Sequence, residues 1–511
     1  MAIKDPNKVA AQALATLRAD RDNRLLRIDA YERGEQDNPY MPDSADAEYK
    51  LLAARAVTNV MPFLISTPAE MVYVDSFRRG NSSRQDTGVK DDAQTRTVQP
   101  EWDHWQRSRL DGRQGPIYRG ALKFGHSFVS TLKDDDGNVI SKGLSALKTV
   151  ALYEDAASDE DPYATLTITR WPSGTGDEAK PGLATMWDDT YEYPVTFKAM
   201  DDAKSVRVSA GKKHGASINP VTRFTAAVDL EGRTMGIVEP MMVLQDRINQ
   251  TVFDLLVVQS YASFTVRTIS GMAPPVKLQA LDADGNKVEN PELDPDLVAD
   301  WVPAMDPRTG RPIPEAIQLS AKRLLIAEDP DTKFNNLEGT PLEGFIKSIE
   351  LAFRHMAVLS QTPPHNILGE IANLSAEAMD AAERALQRKV EEFKASFGES
   401  WERVFRVAAE IGDFPGEDDY HSEVLWRDDR MAGSMSQVAD ALGKMAEQLG
   451  IPPRALWEMV PGVTANQLAH WERLYNEDNP DVAQAQATSR ASTRPTFRRD
   501  TTTDTGGTEQ Q

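Results

Sequence analysis

The residues of this chain best suited to chemistry are its seven histidines, because cysteine is absent. His355 and His365 are the closest pair, and a Pro363-Pro364 dipeptide lies between them. Two imidazoles can contribute to a zinc or copper site, but a stable site needs further ligands. No acidic residue stands at a recognised ligand spacing from this pair. We therefore expect one histidine on a helix surface and the other in a loop, and no metal site.

Two aspartate-rich segments, KDDDGNVI (133–140) and DADGNKVENP (282–291), resemble calcium loops. An EF-hand loop needs an oxygen ligand five residues before its central glycine. Leu132 and Ala280 occupy those positions. We therefore predict a hairpin turn at Asp136-Gly137, and the second segment fails the same calcium test.

The sequence lacks the short motifs of common enzyme classes. It contains no Walker A phosphate loop, no H-E-x-x-H, no G-x-S-x-G and no dinucleotide-binding fingerprint. The absence of cysteine also excludes thiol nucleophiles, disulfides and cysteine-ligated zinc. We therefore predict no catalytic residue, no metal and no cofactor, and a structural or interaction role.

Length and charge describe a large acidic protein. The chain has 511 residues with 79 acidic against 57 basic side chains, a net charge of −22. The charge fits a protein kept soluble by like-charge repulsion, or one that touches DNA without gripping it, and composition leaves both open. The N-terminus is charged and no run approaches about 18 apolar residues, which argues against a signal peptide and a membrane span.

The first 230 or so residues combine helices with short strands. A helical period is carried by Leu14, Leu17, Leu25 and Ile28. Residues 48–65 predict one further helix, and residues 102–125 predict a helical stretch with three core residues, Trp102, Trp105 and Leu110. A β-rich subdomain is predicted from MVYVDSF, HSFVSTLKDDDGNVI, TVALYE, YATLTITRW, TYEYPVTFKA and KSVRVS.

Two helices with a small insert between them are predicted next. The first covers 236–264, with one face formed by Met241, Leu244, Ile248, Val252 and Leu255. The second covers 341–361, with Phe345, Ile349, Ala352 or Phe353, and Met356 on one side, and the prolines after Thr362 end it. Residues 268–335 are rich in proline and glycine but still contain Trp301, Leu324, Leu325 and Ile326, which predicts a small inserted domain.

The strongest helix pattern follows, over 375–410. Its apolar positions are Met379, Ala382, Leu386, Val390, Phe393, Phe397, Trp401, Val404 and Ala408. Eight steps over 29 residues (408 minus 379) give about 3.6 residues per step, the α-helical period, and a length on the order of 50 Å. A helix of this length predicts an element that bridges layers or lines a large assembly.

The C-terminal part is again helical before a polar tail. One stripe is formed by Met435, Val438, Leu442, Met445 and Leu449, and Gly450 ends it. A last helix carries Leu468, Trp471 and Leu474. From about residue 480 the composition predicts a disordered tail. Its positive charges are expected to be solvated, with nucleic-acid contact as the alternative; they are Arg490, Arg494, Arg498 and Arg499.

Several sequence blocks resemble portal proteins of long-tailed bacteriophages of Gram-positive, especially actinobacterial, hosts. The blocks span roughly residues 25 to 475 and are specific only together. They are YERGEQDNPYMP, LDGRQGPIYRGALKFGHSFV, EPMMVLQDRINQTVFDLLVVQSYASF, EDPDTKFNNLEG, SQTPPHNILGEIANLSAEAMDAAERALQRKVEEFKASFGESWE and ADALGKMAEQLGIPPRALWEMVPGVT.

The resemblance implies an α+β, mainly α, portal fold that assembles as a ring, usually of twelve subunits, with a central channel. Mapped by element order, its regions are a wing (1–235), a stem helix (236–266), a clip (267–340), a second stem helix (341–361), a tunnel loop (362–375), a long spine helix with a wing return (376–429), a crown (430–480) and a disordered tail (481–511). The tunnel loop offers four residues to the DNA channel, His365, Asn366, Glu370 and Asn373.

The implied function is to pass double-stranded DNA into and out of the capsid at one vertex. The implied partners are the terminase large subunit, the major capsid protein, a head-completion or adaptor protein, and transiently bound DNA, without a membrane. The protein would be made in the host cytoplasm and end in the virion. Two other classes stay open: a nucleic-acid enzyme with an unrecognised carboxylate metal site, and a capsid or scaffold subunit.

Overall fold

The computed structural model describes residues 3–42, 47–79, 100–174, 179–262, 267–270, 276–289, 291, 295–313, 333–336, 341–369, 376–427, 435–460, 463 and 465–479. Its α-helices are α1 Pro6–Asp20, α2 Leu26–Arg33, α3 Ala47–Ala56, α4 Met61–Glu70, α5 Pro100–Arg107, α6 Leu110–Phe124, α7 Val238–Ala262, α8 Glu343–Ser360, α9 Pro364–Leu368, α10 Ala376–Gly412, α11 Met435–Leu449 and α12 Ala465–Asp478.

The strands of the described residues are β1 Val74–Arg78, β2 His126–Lys133, β3 Val139–Leu144, β4 Thr149–Leu152, β5 Ala164–Arg170, β6 Gly182–Trp187, β7 Tyr191–Phe197, β8 Arg207–Val208, β9 Lys212–Lys213, β10 Val221–Thr225, β11 Arg267–Ser270, β12 Leu278–Leu281, β13 Asp300–Pro303, β14 Lys333–Asn336 and β15 Glu423–Trp426. The chain divides into two compact units. Unit 1 is Met1–Val252 with Ser348–Gln511, and unit 2 is Phe253–Lys347.

An N-terminal helical segment opens unit 1. Pro6 occupies the first turn of α1, and the Asp5 side chain caps it by accepting from the Lys8 backbone N–H at 3.2 Å. One π-helical turn, Arg21–Leu25, joins α1 to α2. The four apolar residues predicted from the helical period are all buried, Leu14 and Leu17 against the larger sheet, Leu25 and Ile28 in the main core.

The larger antiparallel sheet has the order β4-β5-β6-β7-β8, with β9 also paired to β7. A second sheet has the order β10-β2-β3. The β-rich subdomain predicted from sequence is therefore confirmed, although the GLATMW strand β6 and the strand β10 were missed. Strand β6 was missed because its small residues give a weak strand pattern. Gly182 is small for a structural reason, since a Cβ there would lie 2.5 Å from the Phe197 ring.

The single helix predicted over 48–65 is wrong, because the chain forms α3 and α4 with a break between them. In the break, the Thr58 N–H donates to Asn249 Oδ1 at 3.1 Å and the Val60 N–H donates to Gln245 Oε1 at 3.2 Å. These distant side chains satisfy backbone donors that a continuous helix would pair internally. Likewise, the predicted stretch at 102–125 is two helices, separated at Arg109, which has φ 55°.

The predicted stripe of α10 is confirmed for its described part, because the side chains from Leu386 to Ala408 on that stripe are buried. The same part of α10 packs against other elements of unit 1. Trp401 lies 4.8 Å from both the Trp105 and Phe224 rings, centroid to centroid. Strands β2 and β10 and helices α5 and α6 supply these neighbours, so this part of α10 is a core helix of unit 1.

The core of unit 1 also buries a histidine. His104 is 3% exposed, its Nδ1–H donates to the Val139 carbonyl at 3.0 Å and its Nε2 accepts from the Ser141 hydroxyl at 3.0 Å. Burial lowers the pKa of His104 to about 4, although the Val139 carbonyl and Asp103 oppose this shift. The folded chain therefore holds this imidazole neutral at pH values where the unfolded chain, near pKa 6.5, would protonate it.

Because the folded pKa lies below the unfolded one, the unfolded chain binds more protons between pH 6.5 and 4, and stability falls as pH falls through this window. His104 alone should lower the free energy of unfolding by about 2 kcal/mol from pH 7 to pH 5. Urea unfolding at the two pH values measures this change. His104→Asn should flatten the dependence, and an unchanged slope in that variant would contradict the assignment.

Unit 2 contains two small antiparallel sheets, β11 with β14 and β12 with β13. Trp301, which supported the prediction of a small inserted domain, is 51% exposed on β13. Leu324, Leu325 and Ile326 lie outside the described residues. Three of the four residues of β13 are exposed, so a tryptophan in this strand did not identify a core position.

The hairpin turn predicted at Asp136-Gly137 is confirmed, and the second aspartate-rich segment forms a similar turn. The Asp134 carboxylate accepts from the Asp136 and Asn138 N–H groups, and Gly137 has φ +84° between β2 and β3. Asp282 does the same for its own turn in unit 2. Among the described residues, no group of three or more His, Asp or Glu side chains is placed to hold a metal ion.

The C-terminal helices of the described chain form a small separate cluster. Trp457 contacts the rings of Trp471 and Tyr475, and Arg454 stacks on Tyr475 at 4.4 Å. Val438 of the predicted α11 stripe is buried, whereas Leu449 at its end is exposed. Within the described ranges, no helix combines the length and the apolar composition needed to cross a bilayer.

Candidate functional site

The proline break after α8 is a defined turn that leads into the short helix α9. Gln361 adopts φ 57°, a left-handed conformation, at the end of α8. The Thr362 N–H then donates to the Ala357 carbonyl at 3.0 Å, and the Thr362 side chain is buried. Pro363 and Pro364 begin α9, as their fixed φ favours.

A lysine from α10 holds the end of α8. Lys389 Nζ donates to the Ser360 carbonyl at 3.0 Å, and it lies 5.9 Å from the centroid of the Phe393 ring. Burial lowers the pKa of Lys389. A cation at the C-terminus of a helix satisfies a carbonyl that has no partner inside the helix. This contact fixes where α9 begins relative to the core of unit 1.

Two of the four residues predicted for the channel lie on α9. His365 is half-buried and Asn366 is exposed. The Asn366 N–H donates to the Pro363 carbonyl at 3.1 Å, and the Gly369 N–H donates to the His365 carbonyl at 2.9 Å. The structure therefore places both residues on one short helix. Glu370 and Asn373 lie outside the described residues.

Ile367, between the two polar positions and the end of α9, packs against the main core. Gly369 has φ +69° and ends the helix, a conformation that glycine adopts without steric cost. The short helix is thus anchored at both ends, by the Thr362 turn and by Ile367. An anchored helix can present polar side chains in a fixed position.

Helix α7 is fixed near its start by a cluster of four side-chain amides, three of them buried, that sequence reasoning missed. The members are Gln36, Asn59, Gln245 and Asn249. Gln245 Nε2 donates to the Asn249 Oδ1 at 2.9 Å and to the Thr58 carbonyl at 2.7 Å, and Gln36 Nε2 donates to Asn59 Oδ1 at 2.9 Å. Asn249 Nδ2 donates to Gln36 Oε1 and closes the cluster. The sequence carries one sign of this cluster, because Gln245 and Asn249 stand four residues apart beside the apolar face of α7.

A tyrosine adds a second link between α7 and the N-terminal helices. The Tyr31 hydroxyl donates to Asp246 Oδ1 at 2.6 Å, and Arg27 pairs with Asp37 nearby at 2.7 Å. Burial raises the pKa of both Tyr31 and Asp246. A buried tyrosine hydroxyl between two carboxylates stays protonated, so it remains a donor across the neutral pH range.

Arg24, in the π-helical turn, also links the N-terminal helices to α7. Its NH1 donates to Glu239 Oε2 at 3.0 Å and to the Phe124 and Thr234 carbonyls at 3.2 Å each. Its Nε donates to Asp20 Oδ1 at 2.8 Å. Arg24 therefore ties the N-terminal helices to the end of α6 and the beginning of α7. The part of α7 within unit 1 is rigidly placed by these three sets of contacts.

Comparison with known proteins gives one family match over most of the chain. The family described as phage portal protein, SPP1 Gp6-like, matches residues 16–481. The portal protein of Mycobacterium phage D29 is 32% identical over 155 residues, 29% of this chain and 31% of that protein. The portal protein of Mycobacterium phage L5 is 28% identical over 179 residues, 34% of this chain and 36% of that protein. These matches thus span about a third of each curated relative.

Two solved structures give weaker likenesses at 11% identity. A chain of the virion of a native gene transfer agent particle has a TM-score of 0.40 over 83% of this chain and 99% of its own length. A chain of the neck of that particle, computed with C12 symmetry, has a TM-score of 0.35 over 84% of this chain and 95% of its own length.

Proposed function

The chain belongs to the SPP1 Gp6-like family of phage portal proteins, and we propose that its copies form a ring at one capsid vertex through which double-stranded DNA is packaged and ejected. The observation that carries the proposal is the family match over residues 16–481. This membership confirms the resemblance predicted from the sequence blocks, and the mycobacteriophage relatives agree with the predicted actinobacterial hosts.

In the proposed ring, residues 1–235 form the wing and residues 267–340 form the clip. Helices α7 and α8 are the stem helices, α10 is the spine, and residues 430–480 form the crown. Two observations support the assignment of α7 and α8 as stem helices with fixed positions in unit 1. The amide cluster holds α7 and Lys389 holds the end of α8, so both helices are rooted in the core of unit 1.

The segment 362–375, which includes α9, is proposed to reach the DNA channel. Each tight phosphate contact adds to a strong, counterion-driven attraction, which would resist sliding of the duplex. His365 and Asn366 offer polar contacts, and neither position is a lysine or an arginine. The net charge of −22 also disfavours a continuous grip on DNA. Weak contacts of this kind let DNA pass in both directions.

The double variant His365→Ala, Asn366→Ala should impair DNA packaging or retention and leave ring formation unchanged. The reason is that α9 is held by Thr362 and Ile367 rather than by these two side chains. Phage complementation measures the fraction of DNA-filled particles, which should fall to a minority, and electron microscopy of the purified variant measures ring formation. Glu447→Ala on α11 is the control and should change neither.

Loss of rings in the double variant would show instead that α9 is part of the ring architecture. Normal packaging with normal rings would show that these side chains do not act on DNA. Either result would remove the channel assignment of α9 while leaving the family membership untouched.

The proposed partners are the terminase large subunit during packaging, a head-completion or adaptor protein afterwards, and the major capsid protein around the ring. The proposed location is the portal vertex of the virion, after synthesis in the host cytoplasm. The family is structural, and we propose that the protein has no enzymatic activity. Purified protein incubated with linear DNA and Mg²⁺ should leave the DNA intact, whereas cleavage would favour a nucleic-acid enzyme.

A further inference from the structure

A cavity of about 800 Å³ lies in unit 1 beside α1, and strands β2 and β4 and the turn that begins at Asp229 form its other walls. Much of its lining is apolar. Leu17 comes from α1, Val150 from β4, and Val228 and Met235 from either side of the turn. Val228 is 37% exposed and Met235 is 55% exposed, so this part of the lining faces solvent. We call this space the apolar cavity, and it is large enough to take an aromatic side chain.

A second cavity of about 460 Å³ adjoins the first and shares three of its lining residues, Tyr153, Arg223 and Val228. Its lining includes two carboxylates of α10, Glu399 and Glu402, and neither forms a salt bridge with a basic side chain of the described residues. Burial raises the pKa of Glu402. A cation placed beside this half-buried carboxylate would therefore stabilise its charged form. We call this space the carboxylate cavity.

The arginines of α10 in the carboxylate cavity are paired with other acidic side chains. Arg403 donates to Asp161 Oδ1 at 2.7 Å, and Arg406 forms a salt bridge with Glu160. Both arginines line the cavity, so their charges are already balanced at its wall. The two unpaired carboxylates of α10 are thus available to a cation that enters the cavity from outside the described residues.

A tyrosine hydroxyl lies between the two cavities without a partner. The Tyr153 hydroxyl is buried, and it forms no hydrogen bond with any of the described residues. The Arg223 guanidinium stacks on the Tyr153 ring at 4.3 Å and donates to the Ala156 carbonyl at 2.9 Å, which holds the ring in place. A buried polar group without a hydrogen bond reduces stability. The carbonyl group of a bound peptide would accept from this hydroxyl and remove that penalty.

The C-terminal tail contains side chains that complement both cavities. Residues 482–499 contain four arginines and no acidic residue. Phe497 is the only aromatic residue of the tail, and it directly precedes Arg498 and Arg499. Eighteen positions (497 minus 479) separate it from Asn479, the last described residue, and an extended chain of that length spans up to roughly 60 Å. A polar segment that is disordered when free can become ordered as it binds.

We propose that the C-terminal tail docks in these two cavities of its own chain, with Phe497 in the apolar cavity and the arginines after it in the carboxylate cavity. The aromatic ring covers apolar surface that otherwise faces solvent, and the arginines meet Glu399 and Glu402. The tail is tethered to the same chain, and a tether raises its effective concentration at the site. The inference does not depend on the proposed ring, because every lining residue belongs to unit 1.

The test uses the full chain with photoreactive benzoylphenylalanine in place of Phe497. Irradiation followed by mass spectrometry should find most cross-links on the lining of the apolar cavity, above all on Val228 and Met235. The same photoreactive residue in place of Thr503, beyond the basic segment, is the control and should give none of these cross-links. An equimolar mixture of isotopically labelled and unlabelled chains distinguishes cross-links within one chain from those between chains, and we expect the first kind.

Two substitutions in the cavities should lower the cross-link yield several-fold. Ala227→Trp narrows the apolar cavity from an exposed position of its lining, and Leu230→Trp, in the same turn but outside the lining, is its control. Glu399→Lys reverses an exposed charge of the carboxylate cavity, and Glu392→Lys, at another exposed position of α10, is its control. Circular dichroism checks that the variants fold as the wild type does. If one substitution impairs folding, the other still decides the outcome.

Equal cross-linking from positions 497 and 503 would overturn the proposal, and so would a yield that neither cavity substitution lowers. Cross-links found only between chains would overturn docking of the tail in its own chain. Cross-links to added duplex DNA in place of the cavities would overturn it as well, and would show that the basic segment contacts nucleic acid. None of these results concerns ring formation, so each leaves the proposed function unaffected.

Discussion

Trp401→Ala should lower the free energy of unfolding of unit 1 by about 4–5 kcal/mol, the largest effect expected of any single change considered for this chain. The Trp401 side chain is fully buried and its indole lies 4.8 Å from the Trp105 and Phe224 rings. Its Nε1–H donates to the Tyr118 hydroxyl at 2.7 Å. Alanine would remove the ring contacts, leave a large cavity and abolish this donor to Tyr118.

Urea denaturation followed by circular dichroism measures this loss. Trp301→Ala is the control, because Trp301 is half exposed in unit 2 and its removal should cost little. Trp401→Phe should fall between the wild type and Trp401→Ala, since it keeps most of the ring contacts. A Trp401→Ala variant as stable as the wild type would contradict the placement of α10 in the core.

Arg403→Ala should destabilise unit 1 by about 3 kcal/mol, because it leaves a buried carbonyl and a buried hydroxyl without their charged donor. Arg403 is 2% exposed, its Nε donates to Asp161 Oδ1 at 2.7 Å, and its NH1 donates to Thr222 Oγ1 at 2.6 Å. Its NH2 donates to the Asn219 carbonyl at 2.8 Å. Without the guanidinium, the carbonyl and the hydroxyl lose a charged donor in a site closed to water.

Arg233→Ala provides the matched comparison. Arg233 pairs with Asp229 at 2.9 Å, but both side chains are exposed to solvent, so the loss of stability should be much smaller than for Arg403→Ala. The same urea experiment measures both variants. Equal effects of the two substitutions would show that the Arg403 cluster is open to solvent, in contradiction to its burial.

The regular elements of this chain were predictable where one period of apolar residues dominated. The α10 stripe is an example, since Leu386, Phe393 and Trp401 follow the helical period and are all buried. The family also followed from sequence blocks that cover most of the chain. The spacing of the apolar residues could not show which elements pack against that helix. A buried stripe has the same sequence whether it faces its own chain or a neighbouring copy.

The breaks between elements were less predictable, because distant side chains determine them. The α3–α4 break is held by Gln245 and Asn249, almost two hundred residues further along the chain. No local signal around Thr58 encodes that contact. The π-helical turn similarly depends on Arg24 reaching Glu239 and two carbonyl groups. Long-range bonds between side chains and backbone leave no periodic trace in a sequence.

The candidate channel segment has one feature that the local sequence predicted and one that depends on a distant side chain. The prolines after Thr362 correctly predicted where α8 ends, because proline restricts its own φ and the residue before it. The contact that fixes the segment, from Lys389 to the Ser360 carbonyl, was not predictable, since Lys389 reads as a surface residue of an amphipathic helix. The role of His365 and Asn366 on DNA remains a proposal that the packaging experiment tests.

Electron microscopy of the purified full chain tests the central claim most directly. We expect closed rings with an open centre, in which the segment after α8, including His365, lies at the edge of the opening. Closed shells, or only single chains at concentrations that suit assembly, would contradict the portal assignment. Rings in which that segment lies on the outer rim would contradict the proposed path of the DNA.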